Sequence, residues 1–406
     1  MTQKKKLSLA VQIFIGLFLG IIAGFVFLAL GKAEWSISYI KPFGTIFLNL
    51  IKFIVVPIVL CSIIGGVISM KDIRKVGAIG SKTVIFYMVT TAFAVTIGLI
   101  FSNIFKGSYQ VLQTTNLEYE VTQGTKFMDT LVNIFPSNII QPLSSATMLQ
   151  VIVIALFFGF GIILAGEKGE PLAAVIVSLC DVSMVIMELI LKLSPIGVFC
   201  LITPVVAENG PKILGSLAMV LLTAYISYMV HAVIVYSLSV KTLAGLNPIK
   251  FFKGMAPAMA MAFSSASSVG TLPINLDCTE KLGAKRDIAS FVLPLGATIN
   301  MDGTAIYQGV CAVFIARCFG IDLTLAEMIT IVLTATLASI GTAGVPGSGM
   351  IMLAMVLQSV GLPVEGIALV AGVDRIFDMG RTVVNITGDS ACAIVVSAME
   401  DRKSGK

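Results

Sequence analysis

The amino-acid sequence predicts an all-α, polytopic membrane protein, and three observations carry that prediction. The 406 residues are 57% hydrophobic and only 12% charged, whereas a soluble domain carries about 25% charged residues. Apolar runs recur that reach the roughly 20 residues a helix needs to cross a bilayer core. Two of the later runs are interrupted at their middle by small residues and proline, FSSASSVGTLP at 263–273 and SIGTAGVPGSG at 339–349.

The first run, 8–31, holds no charge. It is too long for the apolar core of a signal peptide, and no convincing cleavage site follows, so it reads as a retained first span. Further spans are expected near 37–70, 78–105, 147–166, 171–206 and 212–239. The stretch 106–146 is more polar and reads as a surface loop with a short helix after it. Lysine and arginine set the orientation. Lys4, Lys5 and Lys6 precede the first span, Lys71, Arg74, Lys75 and Lys82 follow the second, and Lys241, Lys250 and Lys253 follow the sixth. These fall on one side, which is therefore cytoplasmic. The formal charge of +5 is this topology signal, not a nucleic-acid footprint. The seven cysteines form no CxxC pair and read as small buried thiols, not as disulfides or a metal cluster.

After the sixth span the pattern changes. Residues 254–276 carry no charge, yet their Ser- and Gly-rich middle ends in proline and continues a helix poorly. Each half has about ten residues, too few at about 1.5 Å per residue to cross a core of about 30 Å. Both flanks are basic: Lys250 and Lys253 before, Lys281, Lys285 and Arg286 after. The segment therefore reads as a hairpin that enters from the cytoplasm and returns. A second such hairpin, about 327–360, is flanked by Asp322, Glu327 and Glu365 and is expected to enter from outside. Each hairpin precedes one polar-marked helix. The first carries LPLGATINMDGTAIYQGV, 293–310, and the second DRIFDMGRTVVNITGD, 374–389. Interrupted segments at corresponding positions of two inverted halves point to a transporter binding site at the midplane.

A charge at the bilayer centre costs about 2.5–3.5 kcal/mol on the mildest scale, so the charges of 374–389 need partners. On a helical wheel Asp374, Asp378, Arg381, Thr382, Asn385 and Asp389 share an arc of about 100°, with Arg375 at its edge. The bland alternative is a stripe of self-paired charges, Asp378 with Arg381, that glues helices together. Asn385 and Asp389 extend the stripe with no cation opposite, so the carboxylate must be protonated or bound to something positive, and a bound cation fits. Asn300, Asp302 and Thr304, beside Gly303, add a second oxygen-rich point. Arg381 suits a carboxylate, Asp378 an ammonium and Asn385 a second carboxylate. Together they complement a zwitterion with an acidic side chain.

Other chemistry is poorly supported. There is no HExxH, no GxxxxGK[ST] loop and no GxGD-type motif for an intramembrane aspartyl protease. The one histidine, His231, reads as a packed or hydrogen-bonded residue. The sequon at 385–387 lies inside an apolar span. A channel would also bury charge but needs no zwitterion site.

SSASSVGTLP, NMDGTAIYQG, SIGTAGVPGSG and DMGRTVVNITGD, in this order, resemble the dicarboxylate/amino acid:cation symporter family, the glutamate and aspartate transporters and their prokaryotic homologues. The resemblance covers nearly the whole chain. It implies eight transmembrane helices and two re-entrant hairpins assembled as a homotrimer in the cell membrane, with both termini cytoplasmic. Residues 1–77 and 106–211 would form a static scaffold, and 78–105 and 212–406 a transport domain that moves as an elevator. The second hairpin would gate the substrate.

Residue by residue, the resemblance gives Arg381 the substrate's side-chain carboxylate, Asp378 its amino group and Asn385 its α-carboxylate. Thr304 and Thr382 are hydroxyl contacts, and Ser268, Val345 and Gly349 are hairpin contacts. Three sodium sites are implied: Gly296, Asn300, Asn385 and Asp389; Thr298, Ser339, Ile340 and Thr342; and Tyr87, Thr90, Thr91, Asn300 and Asp302. Sodium is thus the expected co-transported ion and an acidic amino acid the expected substrate. Neutral amino acids or C4-dicarboxylates, with sodium or protons, are the alternative on the same fold. Two departures matter. Ala266 stands where some relatives place an arginine, and Arg375 is expected to supply that charge. Gln308 stands where proton- and potassium-coupled relatives carry glutamate, which favours sodium coupling without potassium counter-transport.

Overall fold

The computed structural model describes residues 9–69, 78–111, 132, 135–145, 147–339 and 348–403, and these contain helices and turns but no strand. Five stretches are long and apolar enough to cross a membrane by themselves: Val11–Ala29, Ile79–Ser108, Val153–Ile186, Ile213–Ala244 and Asp374–Arg402. Helix Lys41–Ser69 adds a further long apolar helix of 29 residues, and shorter apolar helices include Ser194–Glu208, Leu325–Ala338 and Gly349–Ser359.

Helices α1 (Leu9–Ala29), α2 (Ala33–Tyr39) and α3 (Lys41–Ser69) open the chain. Short α5 (Ile140–Ser144) leads into α6 (Met148–Ala165), α7 (Glu170–Leu191) and α8 (Ser194–Asn209). The run 171–206, expected as one span, is therefore two helices parted at Lys192–Leu193. Pro195 sits in the first turn of α8, where its missing N–H costs nothing and its fixed φ starts a new helix. Hydrophobicity alone does not register that break. α3 packs on α6, α7 and α8, and α1 packs along α8.

The α1–α8 contact depends on glycine. Gly16, Gly20 and Gly24 lie one turn apart, and a methyl group on any of them would overlap Pro195, Ile202 or Val206 of α8. Small residues let two backbones approach in lipid, where van der Waals packing has to do what the hydrophobic effect does in water. The Thr203 hydroxyl crosses this contact to the Gly20 carbonyl at 3.2 Å.

Helix α4 (Ala78–Phe105) does not pack on its sequence neighbours among the described residues. It lies instead against α9 (Lys212–His231) and α14 (Asp302–Cys318). A π-turn, Ala232–Tyr236, joins α9 to α10 (Ser237–Ala244).

The first hairpin is α11 (Pro248–Ser265) and α12 (Ser268–Lys281). Its arms have 18 and 14 residues, longer than the ten or so expected, because the charged flanks are helical too. The reversal is at Ala266, held at φ 51°, and Ser267 caps α12 by accepting from the Gly270 N–H at 3.1 Å. The second hairpin is α15 (Leu325–Ala338) and α16 (Ser348–Ser359). Thr324 and Glu327 form a capping box at its entry. Its turn, with Ile340, Thr342 and Val345, lies outside the described residues.

Each hairpin leads into a polar-marked helix. α13 (Arg286–Ile299) stops at Asn300–Met301, and α14 restarts at Asp302. The sequence placed a loosened helix at Gly303. The structure has a full break two residues earlier, with Asn300 extended at ψ 105°. After α17 (Ile367–Ala371) comes α18 (Asp374–Lys403), which packs on α13, α14 and both arms of the first hairpin. In its most apolar stretch 83% of residues are buried, against 17% in α1, so α18 lies in the core while α1 is largely exposed.

Gly20→Val should lower thermal stability by about 1–3 kcal/mol through overpacking. A drop in melting temperature of the purified protein, followed by size-exclusion fluorescence, would register it. An unchanged melting curve would mean that α1 and α8 can move apart.

Candidate functional site

Spacings of three and four along α18 put Asp374, Asp378, Arg381, Asn385 and Asp389 on one buried face. The Arg381 guanidinium is its centre. Nη2 lies 2.9 Å from Asp378 Oδ1, and Nε donates to the same oxygen at 3.1 Å. Nη2 also reaches Asp374 Oδ2 at 3.4 Å. Nη1 is 3.3 Å from Asp374 Oδ1, within ion-pair range but off hydrogen-bonding geometry, and it finds no other partner among the described residues. The cation sits over the Tyr307 ring at 4.6 Å. The self-pairing of Asp378 with Arg381 that the sequence allowed is thus present, and Asp374 adds a second clamp.

The paired charges do not exhaust the stripe. Asp389 Oδ1 accepts from Asn300 Nδ2 at 2.8 Å, and that amide also donates to the Asn385 carbonyl at 2.9 Å. The Asn300 amide oxygen is buried with no partner among the described residues. Gly296 lies so close that a Cβ there would overlap the Asp389 carboxylate and come within 2.6 Å of Tyr87 Oη. Tyr87 donates to the Val292 carbonyl at 3.2 Å. Gly296, Asn300, Asn385, Asp389 and Tyr87 therefore converge.

Asp302 forms the neighbouring cluster. Thr91 donates to Oδ1 at 2.7 Å, and Tyr236 donates to Oδ2 at 2.8 Å. His231 Nε2 lies 3.1 Å from the same Oδ2. Asn385 Oδ1 accepts from the Gly303 N–H at 2.8 Å, so the first turn of α14 is capped by a side chain of α18. Gly303 allows that approach, since a Cβ would overlap the Arg381 backbone.

Other expected residues stand apart from these contacts. Thr90, Thr298 and Ser339 return their hydroxyls to carbonyls of their own segments, Tyr87, Leu295 and Thr336. No described contact joins Thr298 to Ser339. Thr382 donates to the Asp378 carbonyl at 2.8 Å, and Thr304 lies 3.7 Å from Met301 Sδ. Ser268 is buried at the start of α12. A Cβ on Gly349 would run into the Arg381 guanidinium, which places the second hairpin against that cation. Arg375 donates to the Ser265 carbonyl at 3.1 Å and lies 3.5 Å from Asp378 Oδ2, tying the first hairpin to α18. Gln308 is buried, with both amide atoms unpartnered among the described residues.

Sequence reasoning passed over His231 and Tyr236. His231 is hydrogen-bonded, as expected of it, but to Asp302 and not to an incidental partner. Its signal was available: an ionisable residue inside a span is functional by default. Tyr236 gave no comparable signal.

Asp374 and Asp378 face the guanidiniums of Arg375 and Arg381, while the buried carboxylates Asp302 and Asp389 meet His231, Thr91, Tyr236 and Asn300 instead. The break between α13 and α14 and the second hairpin's Gly349 both lie against Arg381. Buried, mutually bonded polar groups inside a membrane-spanning helical protein are the pattern found at transporter sites.

The comparison with known proteins agrees. Residues 9–399 match the model of the sodium:dicarboxylate symporter family, and the chain belongs to that family. It is 38% identical over 405 residues to a proton/sodium-glutamate symport protein of Bacillus caldotenax, covering 98% of this chain and 95% of the relative. It is 34% identical over 415 residues to a proton/glutamate-aspartate symporter of Escherichia coli (strain K12), covering 98% and 95%. A C4-dicarboxylate transport protein of Bacillus subtilis (strain 168) is 31% identical over 402 residues, covering 97% and 94%. The protein is a transporter, not an enzyme.

Gly349→Ala should displace the Arg381 guanidinium and weaken binding of a carboxylate ligand about tenfold, or about 1.4 kcal/mol. Equilibrium binding of a radiolabelled ligand would measure this. Unchanged affinity would mean that the second hairpin yields without disturbing Arg381.

Proposed function

We propose that this protein is a secondary active transporter that couples sodium to the movement of an acidic amino acid, L-aspartate and/or L-glutamate. One observation carries the reading. Asp389 is buried with no basic partner among the described residues, and Asp302 is buried with only His231, charged only when protonated, beside it. A buried carboxylate without a charged partner takes up a proton or a bound cation. Hard oxygen donors in a polar cradle suit sodium: Asp389, Asn300, Asn385 and the Gly296 backbone at one point, and Asp302 with Thr91, Tyr87 and Thr90 at the other. Thr298, Ser339, Ile340 and Thr342 would form a third, largely backbone site. The neutral Gln308 fits sodium coupling better than potassium exchange.

The substrate completes the charge pattern. Its side-chain carboxylate takes the Arg381 guanidinium in place of Asp378. Asp378, so released, holds the ammonium group. Asn385 gives up the Gly303 N–H and turns to the α-carboxylate, with Thr304, Thr382, Ser268, Val345 and Gly349 around it. The substrate therefore substitutes for an internal ion pair, which limits the desolvation cost of binding. The glutamate and glutamate-aspartate relatives support this reading. The C4-dicarboxylate relative favours a second reading, but a C4-dicarboxylate offers Asp378 no amine.

Movement follows the family's expected plan of eight spans and two hairpins. Helix α4 with the segment from α9 onward would travel as a body past α1–α3 and α5–α8, which would hold a homotrimer together. The second hairpin would be the gate. The protein would lie in the cell membrane with both termini in the cytoplasm.

Uptake of radiolabelled L-aspartate into liposomes holding the purified protein tests the proposal. An inward sodium gradient should drive uptake, with potassium or choline unable to replace sodium. Glutamate should compete, while serine and succinate should not. Asp378→Asn and Arg381→Ala should each reduce uptake by about 100-fold or more, as loss of a buried charge partner implies. Sodium-independent uptake would remove sodium as the coupling ion, and preferential competition by succinate would select the dicarboxylate reading.

A further inference from the structure

His231 ends α9, and the next five residues form the π-turn Ala232–Tyr236 before α10 begins. In an α-helix, residues five apart point about 140° away from each other. A π-turn closes i→i+5 bonds with about 4.4 residues per turn, so residues five apart return to nearly one face. His231 and Tyr236 are five apart. Their rings meet edge to face with centroids 4.8 Å apart and planes at 82°. Both reach one oxygen, Asp302 Oδ2, and all three residues are fully buried. One extra residue in the helix thus turns a histidine and a tyrosine onto the same carboxylate.

The two oxygens of Asp302 are treated differently. Oδ2 is held by His231 and Tyr236. Oδ1 meets only Thr91 among the described residues, at 2.7 Å, and a threonine hydroxyl can rotate to present a lone pair. Tyr236 Oη also lies 3.1 Å from the Val384 carbonyl, in the residue before Asn385. Gly388 leaves room for this approach, since a Cβ there would come within 2.6 Å of both Tyr236 Oη and Asn300 Nδ2.

We propose that the π-turn is a positioning device for the coupling cation. It fixes Asp302 through Oδ2 and leaves Oδ1, with Thr91, as the one carboxylate oxygen offered to sodium. The one Tyr236 hydroxyl proton lies between Asp302 Oδ2 and the Val384 carbonyl, so the hydroxyl sits between that site and the helix carrying Arg381 and Asn385. His231 and Tyr236 are positioning residues that act through Asp302, without a contact to the amino acid. The inference rests on reading Asp302 as a sodium ligand.

The test separates sodium affinity from amino-acid affinity. Binding of radiolabelled L-aspartate to the purified protein would be measured across a sodium range for wild type, His231→Ala, His231→Gln and Tyr236→Phe. Partners that orient a metal-binding side chain typically matter by 10–100-fold in metal affinity. His231→Ala and Tyr236→Phe should therefore raise the sodium concentration for half-maximal binding at least about tenfold. Aspartate affinity at saturating sodium should stay within about twofold, because sodium loading is then complete and a change confined to sodium affinity no longer shows. His231→Gln, whose amide can place an N–H near the Nε2 position, should recover most of the loss. Tyr236→Phe removes only a hydroxyl, so it still reads out if His231→Ala does not fold. Variants that melt like wild type and keep its sodium dependence would overturn the proposal. So would an equal loss of aspartate affinity at saturating sodium. Wild-type binding that ignores sodium would overturn the reading of Asp302 itself, and the proposal with it.

Discussion

Arg381 sits buried between Asp374 and Asp378, and the groups packed around it are arranged on that clamp. A guanidinium stripped of water needs compensating charge. Two carboxylates on its own helix supply it, and the Tyr307 ring closes one side. The second hairpin then packs against it through Gly349, and the break between α13 and α14 lets Gly303 press against its backbone. The same helix carries Asp389, which has no such cation among the described residues. One end of α18 is thus internally neutralised and the other is not. On the proposed reading, that asymmetry would separate a place where a solute substitutes for a protein group from a place where a proton or a cation is added.

The neutralised end also explains how an acidic amino acid could enter without a large desolvation cost. On the proposed reading its groups would replace interactions already present, carboxylate for carboxylate at Arg381 and ammonium for guanidinium at Asp378. Ions bound near Asn300 would act on the same pocket, because Asn300 donates to both the Asn385 carbonyl and Asp389. Asn385 in turn holds the first turn of α14. Coupling between ion and solute would then run through a few direct bonds at the broken helix.

Much of this was legible in the sequence because its signals are local. The stripe on α18 follows from helical periodicity, and both hairpins follow from Gly, Ser and Pro inside apolar runs. The convergence of Gly296, Asn300, Asn385 and Asp389 came from family resemblance and is present in the geometry. The rest depended on tertiary placement. The lengths of α11 and α12 were underestimated because charged flanks were read as ends, yet at an aqueous boundary they continue the helix. The split at Lys192–Leu193 turns on one proline among apolar neighbours. The partnership of His231 with Asp302 spans 71 positions and needs a π-turn whose presence no pattern of hydrophobicity encodes.

Direct binding of radioactive sodium to the purified protein, without any amino acid, tests the central claim most directly. The wild type should bind sodium. The Asp302→Asn, Asp389→Asn double variant should keep its fold but lose that binding, because neutral amides leave no buried charge to compensate. A wild type that binds no sodium, or a folded double variant that binds as wild type does, would contradict the account.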